Sequence, residues 1–339
     1  MKNDFGELRS ILSDTPSEES WARLCDAIDA WHRVTFDDEA LLYVTRELED
    51  WPDELRVAPD SWRELAKSAD LPRKLGLALL YPEIELDDAI LERWLDSGVM
   101  RHVRNFDLKK LESEDLLTRF AHEGAFVSVR KLDLGNTSLD LEVFRVLVES
   151  PNMTDIEWLN VGWTSLSSDE AGEIVGAAPW RKLEYLHIEG NGIKEEGGVA
   201  LVSSPHLVSL KHLRLGWNDV GNETCEALVH AVFTSQLVEL GLENNSIDDR
   251  GGVVLCESSR LSSLVEFDLY NNRFTADVAR AIAQNPALAG VATMDLNGNI
   301  IGDEGREALR GSPYLSESVL ERLERFGDDE SKLEVDEEE

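Results

Sequence analysis

The sequence predicts an α/β solenoid, a right-handed horseshoe with parallel strands inside and helices outside, preceded by an all-α N-terminal region. Three observations carry this expectation. First, residues 129–317 match themselves when shifted by 27 positions: Leu132, Leu159, Leu186, Leu213, Leu240, Phe267 and Met294 form one column, and Leu134, Val161, Ile188, Leu215, Leu242, Leu269 and Leu296 another. Second, Thr137, Thr164, Asn191, Asn218, Asn245, Asn272 and Asn299 form a polar column in the same phase. Third, the second half of each copy is long enough for a helix and opens on polar, acidic residues. Seven copies run without insertion or deletion, and a fixed period of this size marks stacked repeats.

Within a copy, positions 1, 4 and 6 are apolar, position 9 is mostly Asn and position 11 is aliphatic. Positions 4 and 6 alternate with polar residues, which reads as a short strand with one buried face. Asn at position 9 can bond backbone groups where the chain leaves the strand. Positions 12–14 fall where a helix starts, as in Ser167-Ser168-Asp169, Lys194-Glu195-Glu196, Asp248-Asp249-Arg250 and Gly302-Asp303-Glu304. Carboxylates there complement the helix dipole. Position 16 is mostly small (Ala171, Gly198, Cys225, Gly252, Ala279), which suits a helix packed closely on its own strand. Copy three reads LEYLHIEGNGI from Leu183 to Ile193. This resembles the leucine-rich repeat, and the 27-residue period with a helical second half resembles the ribonuclease-inhibitor-like class. The resemblance covers a little over half of the chain and speaks to fold rather than chemistry.

The flanks follow from local signals. Residues 1–102 do not repeat and read as a helical capping domain, since an open solenoid end must be covered. Thr15-Pro16-Ser17-Glu18 combines an N-cap, a first-turn Pro and a Glu three after the cap. Trp21, Leu24, Cys25, Ile28 and Trp31 then mark one helical face. A second helix is expected from Asp37, with Leu41, Val44 and Leu48 inward, ended by Trp51-Pro52. Ser61-Trp62-Arg63-Glu64 reads as another capping box, and 71–80 and 88–95 as further helices, the last closed near Gly98. The tryptophans at 21, 31, 51, 62 and 94 read as core rather than as a ligand box. Residues 103–128 read as a degenerate first repeat, with Val103, Phe106, Leu108 and Leu111 in the expected spacing. Residues 318–327 read as a C-terminal cap helix, and 328–339 as a disordered acidic tail, either merely solvated or an interaction segment.

With 33 Lys plus Arg against 68 Asp plus Glu, the net charge is −35. Such a chain repels nucleic acid and anionic membrane. The acid serves solubility and helix starts, or docks a basic partner. Three cysteines make no disulfide framework; Cys225 and Cys256 sit in repeat columns and Cys25 on an apolar helix face, all read as core. MKNDFGELRSILSD has no basic start followed by an apolar run, and no window is apolar enough to cross a bilayer. A cytoplasmic monomer is expected.

Function belongs on the inner strand face, where positions 3, 5, 7 and 8 are out of phase with the buried 1, 4 and 6. Copies two to four place Trp158, Trp163, Tyr185, His187, His212, Arg214 and Trp217 there; copies five to seven place Glu239, Glu243, Glu266, Asp268, Tyr270 and Asp295. Exposed Trp and Tyr beside Arg is the composition of a binding hot spot, and the acidic zone would orient a basic partner. The expected ligand is a protein bearing an apolar protrusion beside basic residues. Two other readings stay open: the aromatics form a cross-strand ladder, or the N-terminal helices fold over them. No GxxxxGK[ST], HExxH, CxxC or GxSxG occurs, so a non-enzymatic scaffold without cofactor is expected. His187 and His212 could meet a carboxylate such as Glu189, but two imidazoles make a poor zinc set. Some ribonuclease-inhibitor-like repeat proteins activate small GTPases; that alternative rests on fold analogy alone.

Overall fold

A computed structural model of the chain describes residues 5–30, 43–44, 46–48, 51, 86–97, 105–123, 129–164, 166 and 169–326. It forms two compact units, Met1–Thr137 with Ser150–Ile156, and Ser138–Glu149 with Glu157–Glu339.

The first unit opens with α1 (Phe5–Leu12) and α2 (Glu18–Ala30). The cap of α2 is Ser17, not the expected Thr15. Ser20 N donates to Ser17 Oγ at 3.1 Å and Ser17 N donates to Ser20 Oγ at 2.9 Å. The reciprocal pair satisfies amides at the helix start, whereas Thr15 lies too far upstream to reach them. Trp21, Leu24, Cys25 and Ile28 are buried, as are Val44, Leu48 and Trp51, and the Trp21 and Trp51 rings lie 6.5 Å apart. In α3 (Asp88–Ser97) the buried residues are Ile90, Leu91 and Trp94. Trp21, Trp51 and Trp94 are therefore core residues, as their spacing predicts. The expectations for Trp31, Asp37, Leu41, Pro52, Ser61–Glu64, 71–80, Gly98, Val103, Ser167-Ser168 and 328–339 lie outside the described residues. Strand β1 (Asn105–Asp107) runs parallel to β2 (Lys131–Asp133), with α4 (Glu114–Glu123) between them in the chain. Phe106, Leu108 and Leu111 are buried, and Phe106 meets Phe120 edge-on at 5.1 Å.

The second unit starts with α5 (Leu141–Glu149) and then alternates strand and helix: β3 (Trp158–Asn160), α6 (Asp169–Ala177), β4 (Tyr185–His187), α7 (Lys194–Val202), β5 (His212–Arg214), α8 (Gly221–Leu228), β6 (Glu239–Gly241), α9 (Asp249–Cys256), β7 (Glu266–Asp268), α10 (Ala276–Gln284), β8 (Thr293–Asp295), α11 (Gly302–Arg310) and α12 (Glu317–Phe326). The six strands are parallel in chain order, and the register advances one repeat per strand: Trp158, Tyr185, His212, Glu239, Glu266 and Thr293 stand side by side. Helices pack on the helices of adjacent repeats, while α12 packs on β8. The apolar columns fill the layer between strands and helices: Leu159, Leu186, Leu213, Leu240, Phe267 and Met294 are all buried. Cys225 and Cys256 lie buried in this layer, as does Cys25 in the first unit. Burial pushes the Cys225 thiol up to about 12 and that of Cys256 upward as well, so neither serves as a nucleophile at neutral pH.

The asparagine column does what its chemistry allows. Asn218 Nδ2 donates to Ile188 O at 2.9 Å, Gly216 O at 3.0 Å and Leu215 O at 3.2 Å, while its Oδ1 accepts from Asn191 N at 2.9 Å and Ile193 N at 3.4 Å. Asn191, Asn245, Asn272 and Asn299 repeat the pattern, each reaching a carbonyl in the preceding copy. The turn leaving each strand would otherwise strand buried amides and carbonyls; one side chain per copy pairs them.

Candidate partner-binding face

Positions 3, 5, 7 and 8 do point away from the buried columns, but they are more tightly knit than the two expected zones. At position 3 the aromatics stack across strands: Trp158 and Tyr185 rings are 4.8 Å apart and 6° from parallel, and Tyr185 and His212 are 5.9 Å apart. This is the cross-strand ladder considered above, and its members are half-buried. Arg214 is held within the face. Its Nε meets Glu239 Oε1 at 2.5 Å, and its terminal nitrogens lie 3.9 Å from Glu189 Oε1 and 3.8 Å from Glu266 Oε1. His212 Nδ1 lies 3.1 Å from Glu239 Oε2. Arg214 and Glu239 thus stitch the aromatic and acidic zones into one surface.

At position 8 the chain turns through the left-handed region in every copy: φ is 62° at Asn136, 59° at Trp163, 68° at Gly190, 57° at Trp217, 55° at Asn244, 50° at Asn271 and 70° at Gly298. Gly and Asn tolerate this conformation; a bulky side chain there carries strain of about 1–2 kcal/mol. Trp163 and Trp217 occupy it nonetheless, 45% and 50% exposed, with ring centroids 5.6 Å apart.

Positions 7 and 8 alternate large and small residues. Gly162-Trp163 is followed by Glu189-Gly190 and then Gly216-Trp217. A Cβ on Gly190 would sit 2.5 Å from the Trp163 ring, and one on Gly216 would sit 2.3 Å from the Glu243 carboxyl. Each glycine leaves the space that a neighbouring copy's side chain fills. Glu189 is sunk into this surface, 8% exposed, with Oε2 at 2.9 Å from His187 Nε2. Burial pushes the Glu189 carboxyl up, but His187 and Arg214 outweigh it and hold the group below the ordinary carboxylate value. Glu243 has no such cation. Burial and the facing Glu189, with Asp268 behind it, push its carboxyl up to about 8. Burial raises Asp268 too, with Asp295 adding to it. Farther along, Asp268, Asp295, Glu266 and Thr293 line an open recess of about 410 Å³, with Arg322 of α12 also on its wall; Tyr270, two residues after Asp268, stands 41% exposed.

Of the expected site residues, Trp163, Trp217 and Tyr270 are openly exposed; Trp158, Tyr185, His187, His212, Arg214, Glu239, Glu243, Asp268 and Asp295 are partly covered by one another. Glu189 is the residue that the composition of the face undervalues. Its signal lies in the Gly-Trp, Glu-Gly, Gly-Trp alternation. Among the described residues, no group of three or more His, Cys, Asp or Glu could hold a metal ion, and no helix is long and apolar enough to cross a membrane.

A family model described as Leucine Rich repeat matches residues 181–202, 206–229 and 293–309. Among solved structures, the chain is similar to one in the crystal structure of the Rad7 and Elc1 complex in yeast, at 16% identity over 89% of this chain and 86% of that one, with a TM-score of 0.35. A search of curated proteins finds no match.

Proposed function

The chain is a leucine-rich repeat protein, and from that premise we propose that it is a non-enzymatic interaction module that holds a protein partner on its strand face. The observation that carries the reading is the placement of Trp163 and Trp217, two large aromatics half open to solvent at left-handed positions where the fold needs only Gly or Asn. Strain retained at exposed aromatics points to use. Trp158, Tyr185, His187, His212 and Arg214 extend the contact surface on one side, and Glu239, Glu243, Asp268, Tyr270 and Asp295 on the other. A partner with an apolar protrusion beside basic residues fits that surface. The net charge of −35 disfavours nucleic acid, and three free, buried cysteines fit a reducing compartment such as the cytoplasm.

The test compares three forms of the full chain as bait in the native host. Wild type and a helix-side control, Glu196→Gln with Glu257→Gln, are expected to retain the same partner, while Trp163→Ala with Trp217→Ala loses it. Equal capture by all three forms moves the docking surface elsewhere.

A further inference from the structure

The acidic side of the tryptophan pair contains an unmet demand. Glu189 Oε1 and Glu243 Oε2 are both buried and accept no hydrogen bond. Buried carboxylate oxygens are held by donors or cations. Arg214 does not fill the role, because its Nε is committed to Glu239 at 2.5 Å and its nearest nitrogen stands 3.9 Å from Glu189 Oε1. The main chains of the two glutamates adjoin those of the exposed aromatics: Trp163 N donates to the Glu189 carbonyl at 2.7 Å and Trp217 N donates to the Glu243 carbonyl at 2.8 Å. Gly190 lies against the Trp163 ring and Gly216 against the Glu243 carboxyl, so both side chains rest on bare backbone.

We propose that Trp163, Trp217, Glu189 and Glu243 together form a receptor for one cationic side chain, an arginine or lysine, carried by the protein partner. This rests on the docking reading above and specifies its chemistry. The alkyl stem lies along the indole faces, whose negative quadrupole attracts the charge. The head donates to the two carboxyl oxygens that lack donors. In the free protein the raised Glu243 carboxyl holds a proton near neutral pH, and docking releases it.

A short oligo-arginine peptide, titrated into the full chain at roughly physiological ionic strength, probes the site, with oligo-citrulline as the uncharged control. The arginine peptide is expected to bind and the citrulline peptide not. Glu189→Gln with Glu243→Gln, and separately Trp163→Ala with Trp217→Ala, each weaken binding about tenfold. Glu196→Gln with Glu257→Gln removes the same charge from the helix layer and leaves affinity unchanged. Equal weakening by that charge-matched pair, or full affinity in the tryptophan variant, overturns the proposal. Glu243→Lys supplies the cation internally, so it should remain folded with a raised Tm and lose the peptide; a lowered Tm or retained binding counts against the receptor. The native partner separates the two readings. Capture that needs the tryptophans but not the carboxyls leaves the docking face standing and removes the cation receptor. Capture by both double variants removes both.

Discussion

Position 8 and position 9 are adjacent in every copy, and they obey opposite rules. Position 9 is Asn in five consecutive copies, and each Asn makes the same set of bonds to main-chain groups. Position 8 shares one backbone conformation throughout, yet carries Asn, Trp, Gly, Trp, Asn, Asn and Gly. The first is fixed by what the turn must satisfy. The second is constrained only in φ, and where it departs from Gly or Asn the departure costs stability. In this array, the column held to Asn or Thr reports the fold, and the column that varies against its own backbone preference reports use.

The sharpest test of this contrast is Asn218→Ala. It removes five hydrogen bonds to buried backbone and is expected to cost about 3–5 kcal/mol, read from urea unfolding. A loss under about 1 kcal/mol would mean that the column is decorative. Next is Gly190→Ala. It places a Cβ at φ 68° and 2.5 Å from the Trp163 ring, so a loss of about 2 kcal/mol is expected, with a change in indole fluorescence as Trp163 is displaced. Third, at position 8, Trp217→Gly should be more stable than Trp217→Ala by about 1 kcal/mol, since only glycine relieves the left-handed backbone. A reversed order would show that no strain is held there.

A separate effect is electrostatic. Glu243 titrates near 8 in the folded chain and near the ordinary carboxylate value when unfolded. The folded state therefore binds the extra proton between those values, and its stability falls as pH rises from about 4.5 to about 8. The groups that set this slope are Glu189 and Asp268 facing Glu243, with His187 and Arg214 facing Glu189. Glu243→Gln should flatten the slope in thermal melts taken across that range; an unchanged slope would assign it to other groups.

The columns were legible because a repeated backbone imposes repeated side chains: Leu213, Asn218 and Val220 could be assigned by counting. The start of α2 was less so: the Thr-Pro-Ser-Glu run pointed to Thr15, whereas the reciprocal bond with Ser20 makes Ser17 the cap. On the strand face, exposure of positions 3 and 8 followed from alternation, but partnership did not. Arg214 read as a free hot-spot cation, whereas Glu239, one copy further on, engages it. Glu189 was legible as a carboxylate within reach of His187, which it meets at 2.9 Å, but its burial was not, because that comes from neighbouring copies. His187 in its own copy, Trp163 in the copy before and Glu243 two copies on surround it, and contacts across copies emerge only when rows are read sideways.

The asparagine bonds also give the array a direction. Each Asn reaches backward, to a carbonyl and to two amides of the copy before it. Deleting the final copy would therefore bare the main-chain N–H groups of Asn272 and Phe274, which Asn299 now covers. Trimming from the opposite terminus leaves side-chain amides idle instead, and these can rotate to find water. Erosion of the stack is accordingly asymmetric, with the C-terminal edge as its keystone.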